Sequence, residues 1–339
     1  MYKIRDAHIM GFDEKVLNYD EFKVDLAKLD EPRKPGISAI LRIKNGAEFL
    51  RSSIETHIPY YDEIIACYND CTDNTAEILN DLKGKYPEKI KVFEYLPKVH
   101  PIFSDAHNNC TTYDVHSLAN FYNYTLSKTS YNIATKLDDD HIAIDRNLKP
   151  VISRIRNDIA SNVKKVYTFS GVNLALDCSN KLGVYVSNAL VGTGDHMYFP
   201  LSSSIYFSQG VDMEVFEFKN KNYIKEYVGV LYFHLKYLKD GYGFLNSDKK
   251  RQEEELIIHK ENSCVISLEE FISDESIDKL IKYHNPIEFW LRSNTYVNEI
   301  IFAIFKKKPP LRIARLHQLF QDLNGIDLDE CVTKRLRKF

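Results

Sequence analysis

Short unbroken apolar runs alternate along this chain with segments whose apolar residues recur at helical spacing. Ile37-Ser38-Ala39-Ile40-Leu41 reads as a buried strand, and the stretch from Gly46 to His57 as a helix. Asp62 to Tyr68 predicts a second strand. Asp73 to Lys85 predicts a second helix, with Leu79 and Leu82 on its apolar side, and Lys89 to Glu94 a third strand. Strands alternating with helices imply βαβ units, hence an α/β domain with a mostly parallel central sheet flanked by helices.

A long irregular stretch, Pro97 to Thr112, interrupts this rhythm. A helix from about Asp114 to Lys128 follows, then the strand Tyr131 to Leu137, which runs straight into Asp138-Asp139-Asp140. Asp145 is expected to cap the next helix. Lys165 to Phe169, Leu182 to Val186 and Ile224 to Phe233 read as further strands, where the sheet turns mixed. From about Leu245 charged helical faces take over. Three parts are therefore expected: an N-terminal extension over 1–36, closed by Pro32, Pro35 and Gly36; a catalytic domain over 37–245; and a helical C-terminal region over 246–339.

Composition narrows this picture without changing it. In 339 residues, 44% hydrophobic content allows a real core, and a net charge of −3 gives no basic field for nucleic acid. The six cysteines form no C-x-x-C pair and show no zinc-ligand spacing, which suits a reducing, cytoplasmic compartment. The first residues lack the apolar core of a signal peptide, and no apolar run reaches the ~18 residues of a membrane span.

The aspartate triplet is the sharpest chemical feature. Ligands of open α/β sheets sit at the carboxyl ends of strands, where this triplet falls. Three adjacent carboxylates repel unless something positive neutralises them. Mg²⁺ or Mn²⁺ would do so while bridging to substrate phosphates. A solvated acidic turn is the competing reading of the triplet taken alone.

Read together, these segments are similar to the nucleotide-binding half of family 2 glycosyltransferases with the GT-A fold, of the bacterial surface-polysaccharide type. Leu41-Arg42-Ile43-Lys44-Asn45-Gly46-Ala47-Glu48 resembles the strand-then-KNE opening of that family. Tyr68 to Thr75 resembles its DDGSTDGT stretch, and Asp138-Asp139-Asp140 its D-x-D signature. The resemblance covers roughly the first two thirds of the chain. It implies donor contacts from Arg42, Lys44 and Asn45, a nucleobase contact from Asn69 or Asp70, and further donor contacts from Lys136, Asp138 and Asp139. Asp138 would face the ribose and Asp140 the metal, with Asp73 capping the second helix. Where the family often has Arg-Asn on the preceding helix, this chain has Tyr122-Asn123.

The resemblance also assigns downstream groups. His234, after an apolar strand, joins Asp140 and Asp138 as a metal ligand, and Lys236 meets diphosphate oxygens. Asp195, in the glycine-flanked segment Val191 to Met197, is the expected general base, with His196 as alternative base or acceptor contact. The whole implies an inverting transfer of sugar from a nucleotide-diphosphate donor to a glycan or lipid-linked glycan acceptor, with Mn²⁺ or Mg²⁺. Family habit points to capsule or lipopolysaccharide synthesis. Basic residues near the C-terminus and an amphipathic Tyr296 to Phe305 would suit peripheral contact with the inner membrane, although a charged helical cap with solvated lysines is the favoured reading of them. A retaining transferase or nucleotidyltransferase on the same fold, or a non-catalytic nucleotide- or carbohydrate-binding protein, are the alternatives. The single glycine after the first strand counts against a nucleotidyltransferase.

Overall fold

A computed structural model describes residues 19–162, 165–192, 196–210, 213–219, 223–244, 246–261, 264–273 and 313–336. Before the first strand, two 3-10 turns, Asp20–Phe22 and Leu26–Asp30, lay Phe22 and Leu29 into a cluster with Ile40, Ile65, Tyr95 and Phe121. This part of the expected extension therefore packs on the core. Arg33 ties it down, donating to the carbonyls of Leu29 at 2.9 Å and Thr129 at 3.3 Å.

Strand β1 (Lys34–Ile43) is longer than the apolar run, because Lys34 already pairs with Tyr131 before a register shift at Pro35 and Gly36. Proline cannot donate to a ladder, so an irregularity there is expected. Helix α1 (Leu50–His57), β2 (Glu63–Tyr68), α2 (Thr75–Lys85) and β3 (Ile90–Glu94) follow as the pattern implied. The short helix α3 (Asp105–Asn109) breaks up the long loop, and α4 (Leu118–Ser127) leads into β4 (Tyr131–Lys136). Strands β3, β2, β1 and β4 lie side by side and parallel. In β1, Ile37, Ala39, Leu41 and Ile43 join one core cluster while Ile40 joins the other. Both faces are covered, which is why the strand reads as continuous apolar sequence.

After β4 the chain changes direction through β5 (His141–Ala143), α5 (Asp145–Ala160), β6 (Lys165–Leu176), β7 (Leu182–Tyr185), β8 (Leu190–Val191) and β9 (Met197–Pro200). A hairpin, β10 (Ile205–Gln209) and β11 (Glu214–Phe218), stands apart from the main sheet, and β12 (Ile224–His234) returns to it. Last come α6 (Lys249–Glu261), β13 (Val265–Ile266), α7 (Leu268–Phe271), α8 (Ile313–Leu323) and α9 (Lys334–Leu336). The main sheet runs β13-β7-β6-β9-β4-β1-β2-β3, with β12 pairing β5 and β6, and β8 pairing β6. It is mixed: β9 is antiparallel to both β4 and β6, and β12 is parallel to β6 but antiparallel to β5.

Three local expectations change. Asp145 does not cap α5; Ile144 holds that position, and Asp145 accepts from Tyr60 Oη at 2.7 Å and pairs with Arg335. Asp73 sits one residue outside the α2 cap, yet serves the first turn by accepting from Thr75 N at 3.1 Å. The C-terminal region is not wholly helical, since β13 joins β7. There α8 anchors to β12, Asp322 accepting from Val230 N at 3.0 Å. The Tyr296 to Phe305 segment lies outside the described residues, among which no helix is long and apolar enough to cross a membrane.

One buried group gives the fold a pH dependence. His57, at the end of α1, is 3% exposed, and its Nδ1 lies 2.8 Å from the Ser53 carbonyl. Burial pushes its pKa down to about 4, from an ordinary 6.5. The unfolded chain therefore binds this proton first as pH falls, and stability drops from pH 6.5 until it levels off below pH 4. The loss attributable to His57 should be on the order of 3 kcal/mol. Urea unfolding of the wild type and His57→Gln across that range should show a flatter pH profile in the variant; parallel profiles would refute the assignment.

Candidate active site

The loops leaving β1, β2 and β4 converge at the carboxyl edge of the parallel strands, where a doubly covered α/β sheet opens a crevice. After β1, Asn45 takes a left-handed backbone (φ 49°), and its Oδ1 accepts from Thr72 N at 2.7 Å. After β2, Asp70 does the same (φ 45°) and pairs with Lys44 Nζ at 3.0 Å. Asparagine and aspartate tolerate this conformation better than most residues. Gly46 is required for a different reason: a Cβ there would lie 2.6 Å from Asp139 Oδ2. The first loop thus presses directly against the acid cluster.

Beside it lies a cavity of about 240 Å³. Arg42, Lys44 and Lys136 give it positive charge, Val99, Ile102 and Phe121 give it apolar wall, and Glu214 and Asn246 stand on its rim. Arg42 donates to Tyr122 Oη at 2.9 Å, so Tyr122 orients a cavity cation. Asn123, its neighbour, is structural, its carboxamide exchanging bonds with the Phe207 backbone at 2.8 and 2.9 Å. Asn69 also lines the cavity, but its side chain is spent on the chain itself. It donates to the Tyr95 and Pro97 carbonyls at 2.6 and 2.8 Å and accepts from Val99 N at 3.1 Å. Through these bonds Asn69 shapes the loop that walls the cavity.

The three aspartates stay together. Ser53 Oγ donates to the Asp138 carbonyl at 2.7 Å, and the Asp140 carbonyl accepts from Leu235 N at 2.9 Å. Burial opposes ionisation of Asp138, but Lys136 at 3.7 Å, with His196 and His141, holds its carboxyl well below the usual range. Burial likewise opposes Asp140, yet Lys239 at 2.9 Å and His234 at 3.3 Å hold it well below that range too. Asp139 is pushed up by burial and by the charge of Asp140, against the pull of Lys239 at 2.7 Å.

On the other side are three imidazoles. Pairing of β5 with β12 sets His141 opposite His234, with ring centroids 5.2 Å apart. His234 Nδ1 meets Asn173 Oδ1 at 2.6 Å, which leaves Nε2 facing Asp140. His196, 4% exposed, lies 3.7 Å from Asp138. Two sets of ligating atoms result, Asp140–His141–His234 and Asp138–His141–His196. Their chemistry fits a divalent cation: Asp140 Oδ1 and His141 Nε2 are buried with no hydrogen-bond partner, an arrangement normally costing about 1–3 kcal/mol per group unless another ligand satisfies it. Asp138 and Asp140 belong to different sets, unlike the single set expected with His234.

Sequence reading missed two of these groups. His141 follows the triplet directly and was signalled only by that adjacency. Lys239 had no motif. Lys239 pairs with the acids, whereas the Lys236 ammonium sits over the Phe244 ring, 3.8 Å from its centre, and burial pushes its pKa down. Asp195 lies outside the described residues.

A family model described as beta-1,4-N-acetylgalactosaminyltransferase (CgtA) matches residues 1–197. No curated protein matches the sequence. Among solved structures, S. aureus TarS 1-349 in complex with UDP is similar at 11% identity over 85% of this chain and 90% of that one, with a TM-score of 0.36. Glucosyl-3-phosphoglycerate synthase from Mycobacterium tuberculosis, solved with Mn²⁺, UDP and phosphoglyceric acid, shares 18% identity over 42% of this chain, with a TM-score of 0.27. The match spans 45% of the synthase's length. At these scores the likeness is loose and carries no weight of its own.

Lys239 lies between two carboxylates, and its removal leaves them facing each other. Lys239→Met should lower metal-free stability by about 3 kcal/mol, and Mn²⁺ should raise the melting temperature of the variant more than that of the wild type. Equal melting temperatures in chelator would show that the ion pairs contribute little.

Proposed function

The chain belongs to the beta-1,4-N-acetylgalactosaminyltransferase (CgtA) family, a nucleotide-sugar glycosyltransferase of the GT-A type, and from that premise we propose a metal-dependent, inverting transfer of N-acetylgalactosamine to a glycan hydroxyl. The observation that carries the metal-dependent reading is the buried Asp140 carboxylate facing the His234 imidazole at 3.3 Å, beside a cationic cavity. A β product from an α-linked nucleotide sugar requires inversion at the sugar carbon, which the family's description supports.

Asp140 and His234 would hold Mn²⁺ or Mg²⁺, with Asp138 nearby. Such an ion, when bound, neutralises charge on the departing nucleotide diphosphate. The remaining work belongs to the chain. The cavity walled by Val99, Ile102 and Phe121 takes the nucleoside, and Arg42, Lys44 and Lys136 supply positive charge along it. Lys239, already turned toward the acids, is the side chain best placed to follow the diphosphate. Asp195 takes the proton from the attacking hydroxyl, with His196 beside it as the alternative base. The role is bacterial surface-glycan assembly, in capsule or lipopolysaccharide, at the cytoplasmic side of the inner membrane.

Asp140→Asn should lower transfer from UDP-N-acetylgalactosamine by about a hundredfold or more and abolish Mn²⁺-dependent donor binding. Near-normal turnover in that variant would remove the metal role. Asp195→Asn should leave UDP affinity unchanged while turnover falls by about a hundredfold. A product that keeps the donor's anomeric configuration, read by NMR, would contradict both the base and the inversion.

A further inference from the structure

The acid cluster has two unlike sides. Lys239 covers the outer side, pairing with Asp139 and Asp140 at 2.7 and 2.9 Å. The inner side is lined by imidazole nitrogen, and its centre is His141. This residue is 1% exposed, its Nε2 has no hydrogen-bond partner, and both sets of ligating atoms close only through it. Among the described residues, the carboxylate oxygen paired with it, Asp138 Oδ2, lies 3.5 Å from Nε2, beyond a normal hydrogen bond. The ring is nevertheless held firmly, stacked on Tyr232 at 3.8 Å and set in β5 against His234 on β12. Gly171 leaves room for that arrangement, since a Cβ there would meet the Tyr232 ring at 2.3 Å.

We propose that His141 is a third protein ligand beside Asp140 and His234, forming a nitrogen-rich centre that takes Mn²⁺ or another transition ion in preference to Mg²⁺. The proposal rests on the metal-dependent reading above and deepens it. A buried ring nitrogen with no hydrogen-bond partner, on an imidazole stacked against Tyr232, has the surroundings of a metal ligand. His234 shows the companion feature, a second ring nitrogen held by Asn173 so that the first faces inward. Magnesium keeps oxygen ligands and several waters, whereas imidazole suits the transition ions. Two imidazoles and one carboxylate therefore tilt the choice of ion.

The test uses the full-length protein and Mn²⁺ alone, without nucleotide. Pulsed electron paramagnetic resonance of bound Mn²⁺ should show nitrogen coupling from two imidazoles in the wild type and from one in His141→Phe, which keeps the stacking on Tyr232. Mn²⁺ affinity should fall by about tenfold or more in that variant, while Mg²⁺ affinity changes little, so the preference narrows. If His141→Phe does not fold, the wild type with isotopically labelled histidine still gives the number of coupled imidazoles. Coupling to one imidazole in the wild type, or unchanged Mn²⁺ affinity in a folded His141→Phe, overturns the assignment while leaving the Asp140–His234 centre intact. Absence of Mn²⁺ binding to the wild type would sink that centre as well.

Discussion

Like charges gathered at the end of a buried strand repel one another, and the arrangement around β4 offsets that repulsion. Asp138, Asp139 and Asp140 leave the sheet within one short turn. Lys136 approaches from the strand itself, Lys239 from the loop after β12, and the imidazoles of His141, His196 and His234 from the far side. Each carboxylate feels a different mixture of burial, cation and neighbour, so their ionisation behaviour diverges: Asp138 and Asp140 are held low and Asp139 is raised. A cluster with two strongly ionised acids and one reluctant one is suited to receiving a cation.

The sheet supplies the precision. Its parallel half, β3-β2-β1-β4, brings the three loops to one edge, beside the cationic cavity. The antiparallel pairing of β12 with β5 carries His234 back to the same point from over ninety residues away, register by register, so the two histidines do not depend on loop conformation. A hydrogen-bonded ladder positions a side chain more tightly than a loop does. The C-terminal helix α8 reinforces that strand through Asp322 and the Val230 amide. Asn246 reaches across to the Lys44 carbonyl at 2.6 Å, linking the late loop to the first one.

Several polar residues that look functional in the sequence serve the framework. Asn69 saturates three backbone groups, Asn123 clamps α4 to β10, and Asn45 bridges the first two loops. Asn69 and Asn123 meet backbone groups that would otherwise be buried without a partner.

Apart from the short helix α3, the order of strands and helices from Ile37 to Leu137 was legible in the sequence because apolar periodicity and turn chemistry are local properties. So was the position of the aspartate triplet, since residues directly after a buried strand emerge at the sheet's edge. Asp140 and His234 were named together from a resemblance, and the β5–β12 register sets them 3.3 Å apart. What sequence could not reveal depended on distance in space. The loop after β12 turns the Lys239 ammonium toward the acids and the Lys236 ammonium onto Phe244. His141 meets His234 through the pairing of β5 with β12, and the Asn69 carboxamide bonds carbonyls of a separate loop. Propensity acts along the chain, whereas charge compensation and the satisfaction of buried polar groups are decided by whatever the fold brings alongside.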